Sequence, residues 1–225
     1  MKKINHAIIL AAGRGARMRP LTDYLPKAML QYKDTTLIAN GIKQIKKYIS
    51  NIHISVGYKG SLLAKHVIEN NVSSIINTEG KGNSWWIFNS IFKKLNEPMF
   101  ILTCDNVTKI DFKSMEIDYY KKKAPPNMLI PVKPVEGLEG DYIKHKNNLV
   151  TSISRSIKTD IYCTGIQIIN PFEINNIIKP TEDFKLVWKQ LINLKKIYVS
   201  DVRPKKWFTI DNLMQLEKIK KYKKF

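Results

Sequence analysis

Two cations and a run of small residues near the start of the chain have a spacing that suits a polyphosphate. Ala7-Ile8-Ile9-Leu10-Ala11-Ala12-Gly13-Arg14-Gly15-Ala16-Arg17-Met18-Arg19-Pro20-Leu21-Thr22 is followed closely by Pro26-Lys27. Ala7 to Leu10 reads as a short buried strand. It runs into Ala-Ala-Gly-x-Gly, whose small residues let the backbone approach a ligand closely and aim several N–H groups at it. Arg17 and Lys27 then bring positive charge from the same turn and its sequel. A strand, a phosphate-holding loop and basic side chains together suit a nucleoside triphosphate.

The dinucleotide fingerprint needs a third glycine where Met18 stands, and a P-loop needs Gly-Lys-Ser/Thr, which does not follow. A lone Gly-x-Gly also fits an ordinary strand-to-helix turn. The longer string, Leu10-Ala-Ala-Gly-x-Gly-x-Arg-Met-x-Pro-Leu-Thr with Pro26-Lys27, closely resembles the signature of the sugar-1-phosphate nucleotidyltransferases. The resemblance runs along most of the chain and is strong at the N-terminus. It implies transfer of a nucleotidyl group from an NTP to a phosphorylated small-molecule acceptor, with release of pyrophosphate. It places backbone groups of Leu10, Ala11, Ala12 and Gly13 against the nucleoside. Gly15 and Arg17 lie along the triphosphate, and Lys27 reaches the reacting phosphates, so Arg17 and Lys27 are the implied catalytic cations. The threonine usual before the arginine is Ala16 here.

Asp105 ends the apolar run Phe100-Ile-Leu-Thr-Cys-Asp. A carboxylate there is costly unless paired or metal-bound, although an Asx-turn or helix cap helped by Asn106 is the alternative. The resemblance makes Asp105 a metal and nucleotide ligand. Its second metal carboxylate is expected in Trp207-Phe208-Thr209-Ile210-Asp211-Asn212, where the first acidic position is Thr209 and Asp211 remains. Residues two apart in a strand share a face; a helix cap before Leu213 is the other reading of Asp211. Hard oxygen ligands beside phosphates point to Mg²⁺, with Mn²⁺ as a substitute. Base recognition falls to Glu79-Gly80-Lys81-Gly82-Asn83-Ser84, where Gly82 permits close approach and Asn83 or Ser84 either bonds the base edge or caps a helix. On the acceptor side, Gly140-Asp141-Tyr142 resembles the family's turn over the sugar, and Tyr162-Cys163-Thr164-Gly165 its Asn-x-Gly strand. Arg155 or Lys158 replaces the usual sugar-phosphate lysine. Gly140, Arg155, Lys158 and Thr164 are therefore the expected acceptor contacts.

These residues need a frame. Helical spacing from Leu37 to Tyr48 and Ser61 to Glu69 alternates with strand-like Asn51–Gly57, Ser73–Asn77 and Phe100–Cys104. Asn83 to Leu95 reads as one amphipathic helix. This alternation predicts an α/β fold: a Rossmann-like, mostly parallel sheet with helices on both faces. Ligands in such sheets bind beyond the carboxyl ends of the strands, where the Ala11–Gly15 loop and Asp105 fall. Later strands are expected at Asn127–Val132, Tyr162–Ile169, Ile197–Val202 and Trp207–Ile210, with helices at Phe184–Leu194 and Leu213–Lys224. Gly137–Asp141 and Lys144–Asn148 read as turns or loops. One domain spanning 1–225 is expected, with a nucleotide half to about residue 125 and an acceptor half from about 126.

Hydrophobic residues at 44% argue against disorder, and no apolar run approaches the ~18 residues of a membrane span. Met1 to His6 leads directly into the first strand without room for a cleavable signal, so a cytoplasmic location is expected. Cys104 and Cys163 read as buried free thiols. The net charge of +19 is mostly scattered lysine, with no Arg-rich stripe or RNA-binding aromatic motif, so nucleic acid is not an expected partner. The short length resembles compact muramate-phosphate uridylyltransferases. Val56-Gly57-Tyr58, Asp105-Asn106 and Ile210-Asp211 also fit phosphocholine cytidylyltransferases. Thr209 and Ala16 keep open a nucleotide-sugar sensor without turnover.

Overall fold

The apolar run after His6 becomes a strand with Ala7, Ile8 and Ile9 all buried. The computed structural model describes residues 2–221. In chain order its elements are β1 (His6–Leu10), α1 (Leu21–Tyr24), β2 (Gln31–Tyr32), β3 (Thr35–Thr36), α2 (Leu37–Lys46), β4 (Asn51–Val56), α3 (Gly60–Ile68), β5 (Ser74–Asn77) and α4 (Trp85–Asn89). There follow β6 (Met99–Thr103), β7 (Asn106–Lys109), α5 (Phe112–Lys121), β8 (Asn127–Val132), β9 (Tyr142–Lys146), β10 (Leu149–Ser154) and β11 (Tyr162–Ile169). The chain ends with α6 (Pro171–Ile177), α7 (Phe184–Asn193), β12 (Ile197–Val199), β13 (Lys206–Thr209) and α8 (Leu213–Lys221). Two units divide these elements. One holds Asn5–Lys81, Leu102–Lys109 and the chain from Lys206 onward; the other holds Gly82–Ile101 and Ile110–Lys205 with the first few residues.

In the first unit β1 pairs in parallel with β4, from His6 opposite Asn51 to Leu10 opposite Ser55, and β4 pairs in parallel with β5. Ile52, Ile54 and Val56 on one face and His53 and Ser55 on the other are all buried, as expected of a strand covered on both faces. Thr36 caps α2 by accepting from the Ala39 N–H, and Leu37, Ile38, Ile42 and Ile45 form its buried stripe. The strand of residues 99–103 carries Cys104 up to Leu10, where the Cys104 N–H donates to the Leu10 carbonyl. β7 and β13 then form an antiparallel ribbon with Thr209 opposite Asn106. This pairing brings the late Ile210-Asp211 beside Asp105.

In the second unit β8 is buried along its whole length. It pairs antiparallel with β11 and parallel with β12. β11 also pairs antiparallel with Met99–Ile101 of β6. β10 pairs antiparallel with both β12 and β9.

The α/β class and the expected strands of both units are present. Three local differences have physical causes. Lys144 to Lys146, expected as a loop, belongs to β9, because Asn147 and Asn148 at positive φ make a tight turn into β10. The expected helix Asn83–Leu95 breaks at Ser90. That hydroxyl donates to the Trp86 carbonyl and accepts from the Phe92 N–H, so a 3-10 turn follows instead of a continued helix. The closing helix runs from Leu213 to Lys221, and residues 222–224 of the expected span lie outside the described residues.

Candidate active site

Lys27 sits in a 3-10 turn just after Pro26 and is 9% exposed. Its Nζ lies 2.7 Å from Asp105 Oδ2 and 3.2 Å from Asp211 Oδ1. Arg17 Nη2 reaches the same Asp211 oxygen at 3.1 Å. The four expected charged residues therefore converge within the first unit. They line a cavity of about 380 Å³ with Leu10, Gly13, Gly15, Ala16, Thr103 and Cys104.

Each member is positioned by its own local structure. Gly15 adopts φ 65°, and a Cβ there would stand 2.8 Å from Lys27 Cβ. Glycine is thus required both for the turn and for the passage of the lysine stem. A Cβ at Gly13 would meet no atom within 4 Å, so this face of the loop is open toward a ligand. Asp105 is fixed by its carbonyl, which accepts from the Ile210 N–H at 3.0 Å. The Asn106 side chain donates to Thr103 Oγ1 and accepts from Trp207 Nε1. The cap of α8 is Asn212, which accepts from the Gln215 N–H; Asp211 is left for the cavity, its own N–H held by Gln215 Oε1. Thr209 Oγ1 lies 3.5 Å from Asp211 Oδ2.

The electrostatics are coupled. Burial works against the Lys27 ammonium, but the Asp105 and Asp211 carboxylates outweigh it and raise its pKa. Burial likewise works against the Asp105 carboxylate, yet Lys27 and the Thr103 hydroxyl bring its pKa below the ordinary value. The Cys104 thiol is pushed up to about 12, first by burial and then by the neighbouring Asp105 charge, so it stays protonated. Asp105 and Asp211 both reach one nitrogen, so their oxygens face a common point. Two hard carboxylates are oxygen donors of the kind that would hold Mg²⁺. Among the described residues no group of three or more His, Cys, Asp or Glu is gathered for a metal.

The other expected contacts belong to the second unit. Gly82 packs on the backbone of Glu182: a Cβ would lie 1.9 Å from the Glu182 carbonyl oxygen. Its missing side chain serves that packing. The Asn83 side-chain oxygen accepts from the Phe184 N–H at the start of α7, and Ser84 Oγ donates to the Thr181 carbonyl. Gly140 packs against the Tyr162 ring, 2.5 Å from a would-be Cβ. The buried Thr164 hydroxyl donates to the Ile130 carbonyl and accepts from the Ile166 N–H, bracing the irregular stretch of β11. Arg155 pairs with Asp141 at 3.0 Å, and both line a cavity of about 530 Å³ with Ile153, Lys185, Trp188 and Lys189. Lys158 is exposed. Lys185, Trp188 and Lys189 carry no motif; only the pairing of Asp141 with Arg155 and Lys185 exposes them as neighbours.

Comparison with known proteins follows the same line. The family model described as nucleotidyl transferase matches residues 6–142. Mannose-1-phosphate guanyltransferases of Debaryomyces hansenii and Candida albicans are each 26% identical over 211 residues, covering 87% of this chain and 58% of theirs. The chain thus spans less than two thirds of the length of these curated relatives. Among solved structures, the inositol-1-phosphate CTP transferase from T. maritima superposes with a TM-score of 0.78 at 17% identity over 98% of both chains. The CTP:phosphocholine cytidylyltransferase from Streptococcus pneumoniae gives 0.75 at 21% identity, over 96% of this chain and 98% of that one. These likenesses establish the fold.

Proposed function

Because this chain belongs to the nucleotidyl transferase family, we propose that it couples an NTP to a sugar 1-phosphate, giving an NDP-sugar and pyrophosphate. The convergence of Lys27, Arg17, Asp105 and Asp211 under the Gly13–Gly15 loop carries this reading. The names of the mannose-1-phosphate guanyltransferases support the acceptor class.

In this reading the loop N–H groups and Gly15 hold the triphosphate, and an acceptor phosphate oxygen attacks the α-phosphorus. The bond to the β-phosphate oxygen breaks, and pyrophosphate leaves. Lys27 and Arg17 face the charge that gathers on the transferring and leaving oxygens. Such preorganised cations act chiefly by positioning and electrostatics, without a covalent nucleophile. Asp105 and Asp211 would hold Mg²⁺, which supplies charge neutralisation at the phosphates. Leu10, Ala11 and Ala12 take the nucleoside. Arg155, Lys158, Gly140 and Thr164 are assigned to the acceptor side, the last two through the shape of the strands they brace. A nucleotide half to about residue 125 and an acceptor half beyond it belong to this reading. So do a cytoplasmic location and a role in surface polysaccharide or glycoconjugate synthesis. Among the described residues no helix is long and apolar enough to cross a membrane.

A second reading, cytidylyl transfer to phosphocholine, draws on Val56-Gly57-Tyr58 and Ile210-Asp211. Pyrophosphate release measured with each of four NTPs against a panel of sugar 1-phosphates and phosphocholine separates the two. Release with no pair at all would reject both and favour a nucleotide-sugar sensor.

A further inference from the structure

We propose that Tyr58 is the positioning residue of the phosphate-holding loop, tethering its two ends and carrying Arg14 at its edge. The proposal rests on reading the loop as a nucleotide site.

Tyr58 leaves β4 immediately before α3, and it touches the loop at three places. Its N–H donates to the Ala12 carbonyl at 3.0 Å. Its hydroxyl donates to the Thr22 carbonyl at 2.9 Å. The Arg14 guanidinium carbon lies 5.4 Å from the Tyr58 ring centroid, with Lys59 Nζ at 5.6 Å, both within cation–π reach. The tether extends inward, because Thr22 is buried and its own hydroxyl donates to the Gly15 carbonyl at 2.9 Å. Gly15 is the residue that makes room for Lys27. Tyr58 therefore holds the entry of the loop through its backbone N–H and the exit through its side-chain hydroxyl, which reaches Gly15 by way of Thr22.

The close approach depends on the preceding residue. A Cβ at Gly57 would stand 2.7 Å from the Ala12 carbonyl oxygen. Lys59 then takes the left-handed conformation at φ 51°, turning the chain sharply into α3 and leaving the Tyr58 ring against the loop. A glycine loop without such a brace samples many conformations, and ordering them on binding lowers affinity. Tyr58 removes that cost before the ligand arrives.

Tyr58→Phe deletes the hydroxyl bond and keeps the ring; Tyr58→Leu deletes both; Arg14→Ala deletes only the stacked cation. Steady-state kinetics are read with both substrates, and amide hydrogen exchange is read without ligand. In Tyr58→Phe the KM for the nucleotide is expected to rise about three- to tenfold, the range of one hydrogen bond. The kcat and the acceptor KM should stay within about twofold. Exchange should quicken in residues 13–22 and stay unchanged in β4 and α3. Tyr58→Leu should raise the nucleotide KM further, by about the increment that Arg14→Ala shows alone. An unchanged nucleotide KM in Tyr58→Phe overturns the proposal. So does exchange that quickens throughout β4 and α3, which marks a merely structural residue. If the wild type turns over no nucleotide, the functional reading fails separately. Exchange then decides the tether: confinement to residues 13–22 sustains it, and its absence there overturns it.

Discussion

Lys27 and Asp105 form an ion pair at 2.7 Å although 78 positions separate them in the chain. The lysine is nearly buried, and each partner's pKa moves so that both stay charged at neutral pH. Attraction between such charges in a low-dielectric site roughly balances their desolvation, whereas removing one partner strands the other. The pair is therefore a weak source of net stability and a strong constraint on where the ammonium stands.

Lys27→Ala is expected to lower turnover at least ~100-fold and also to reduce stability by roughly 3 kcal/mol, because Asp105 loses its counter-charge. Arg17→Ala should lower turnover by a similar factor. Its side chain is 64% exposed, so stability should stay within ~0.5 kcal/mol. Pyrophosphate-release kinetics and denaturant melts on both variants check this contrast. Near-wild-type turnover in either would remove that residue from the catalytic role.

Activity is expected to require Mg²⁺ or Mn²⁺ and to vanish with EDTA. Asp105→Asn and Asp211→Asn should each lose metal-dependent turnover to a similar degree, since the amide keeps the shape and removes the charge. Thr209→Ala should be much milder, because a neutral hydroxyl 3.5 Å from Asp211 acts only by orienting it. Titrating metal into each variant gives the ranking. A dead Thr209→Ala beside a normal Asp211→Asn would reverse the assignment.

The first-unit site was largely legible in the sequence because its signals are local. Small residues after a strand announce the loop, and Asp105 is a charge at the end of an apolar run. Asp211 kept two readings, and only the pairing of Asn212 with the Gln215 N–H frees it from the capping role. What stayed hidden depends on distant partners. Gly82 reads as an opening for a base until Glu182 is seen against it, and Thr164 reads as a polar contact until Ile130 takes its hydroxyl. β9 is a solvent-facing strand whose Lys144, His145 and Lys146 show no apolar alternation, so the tight turn at Asn147-Asn148 was its only signal.

His53 supplies a pH-dependent stability term remote from the phosphate loop. It is buried, its Nε2 lies 3.0 Å from His6 Nδ1 and its Nδ1 is 2.8 Å from Ser74 Oγ. Burial, followed by the His6 charge, lowers its pKa from 6.5 to about 4. The unfolded chain then binds more protons between about pH 4 and 6.5, so this contribution is full above 6.5 and falls as the pH drops toward 4. Its size is on the order of 3 kcal/mol. Urea melts across that window should show wild-type stability rising with pH, and His53→Gln should flatten the rise. Parallel profiles for the two proteins would dismiss the term.

Gly15→Ala tests whether the loop backbone positions the lysine. The left-handed φ of 65° costs an alanine roughly 1 kcal/mol, a loss the fold should survive. The new Cβ would also stand 2.8 Å from Lys27 Cβ, and since that contact is with a buried stem, the lysine must shift. A displacement of under an ångström at a group meant to face transferring phosphate is enough to cost about 100-fold in rate. The expected outcome is a folded protein with a small drop in melting temperature, a large fall in kcat and a nucleotide affinity that changes far less. Comparable losses in kcat and affinity would assign Gly15 to phosphate binding through its own N–H. Unchanged kcat would mean that Lys27 reaches the reacting centre without the glycine's help.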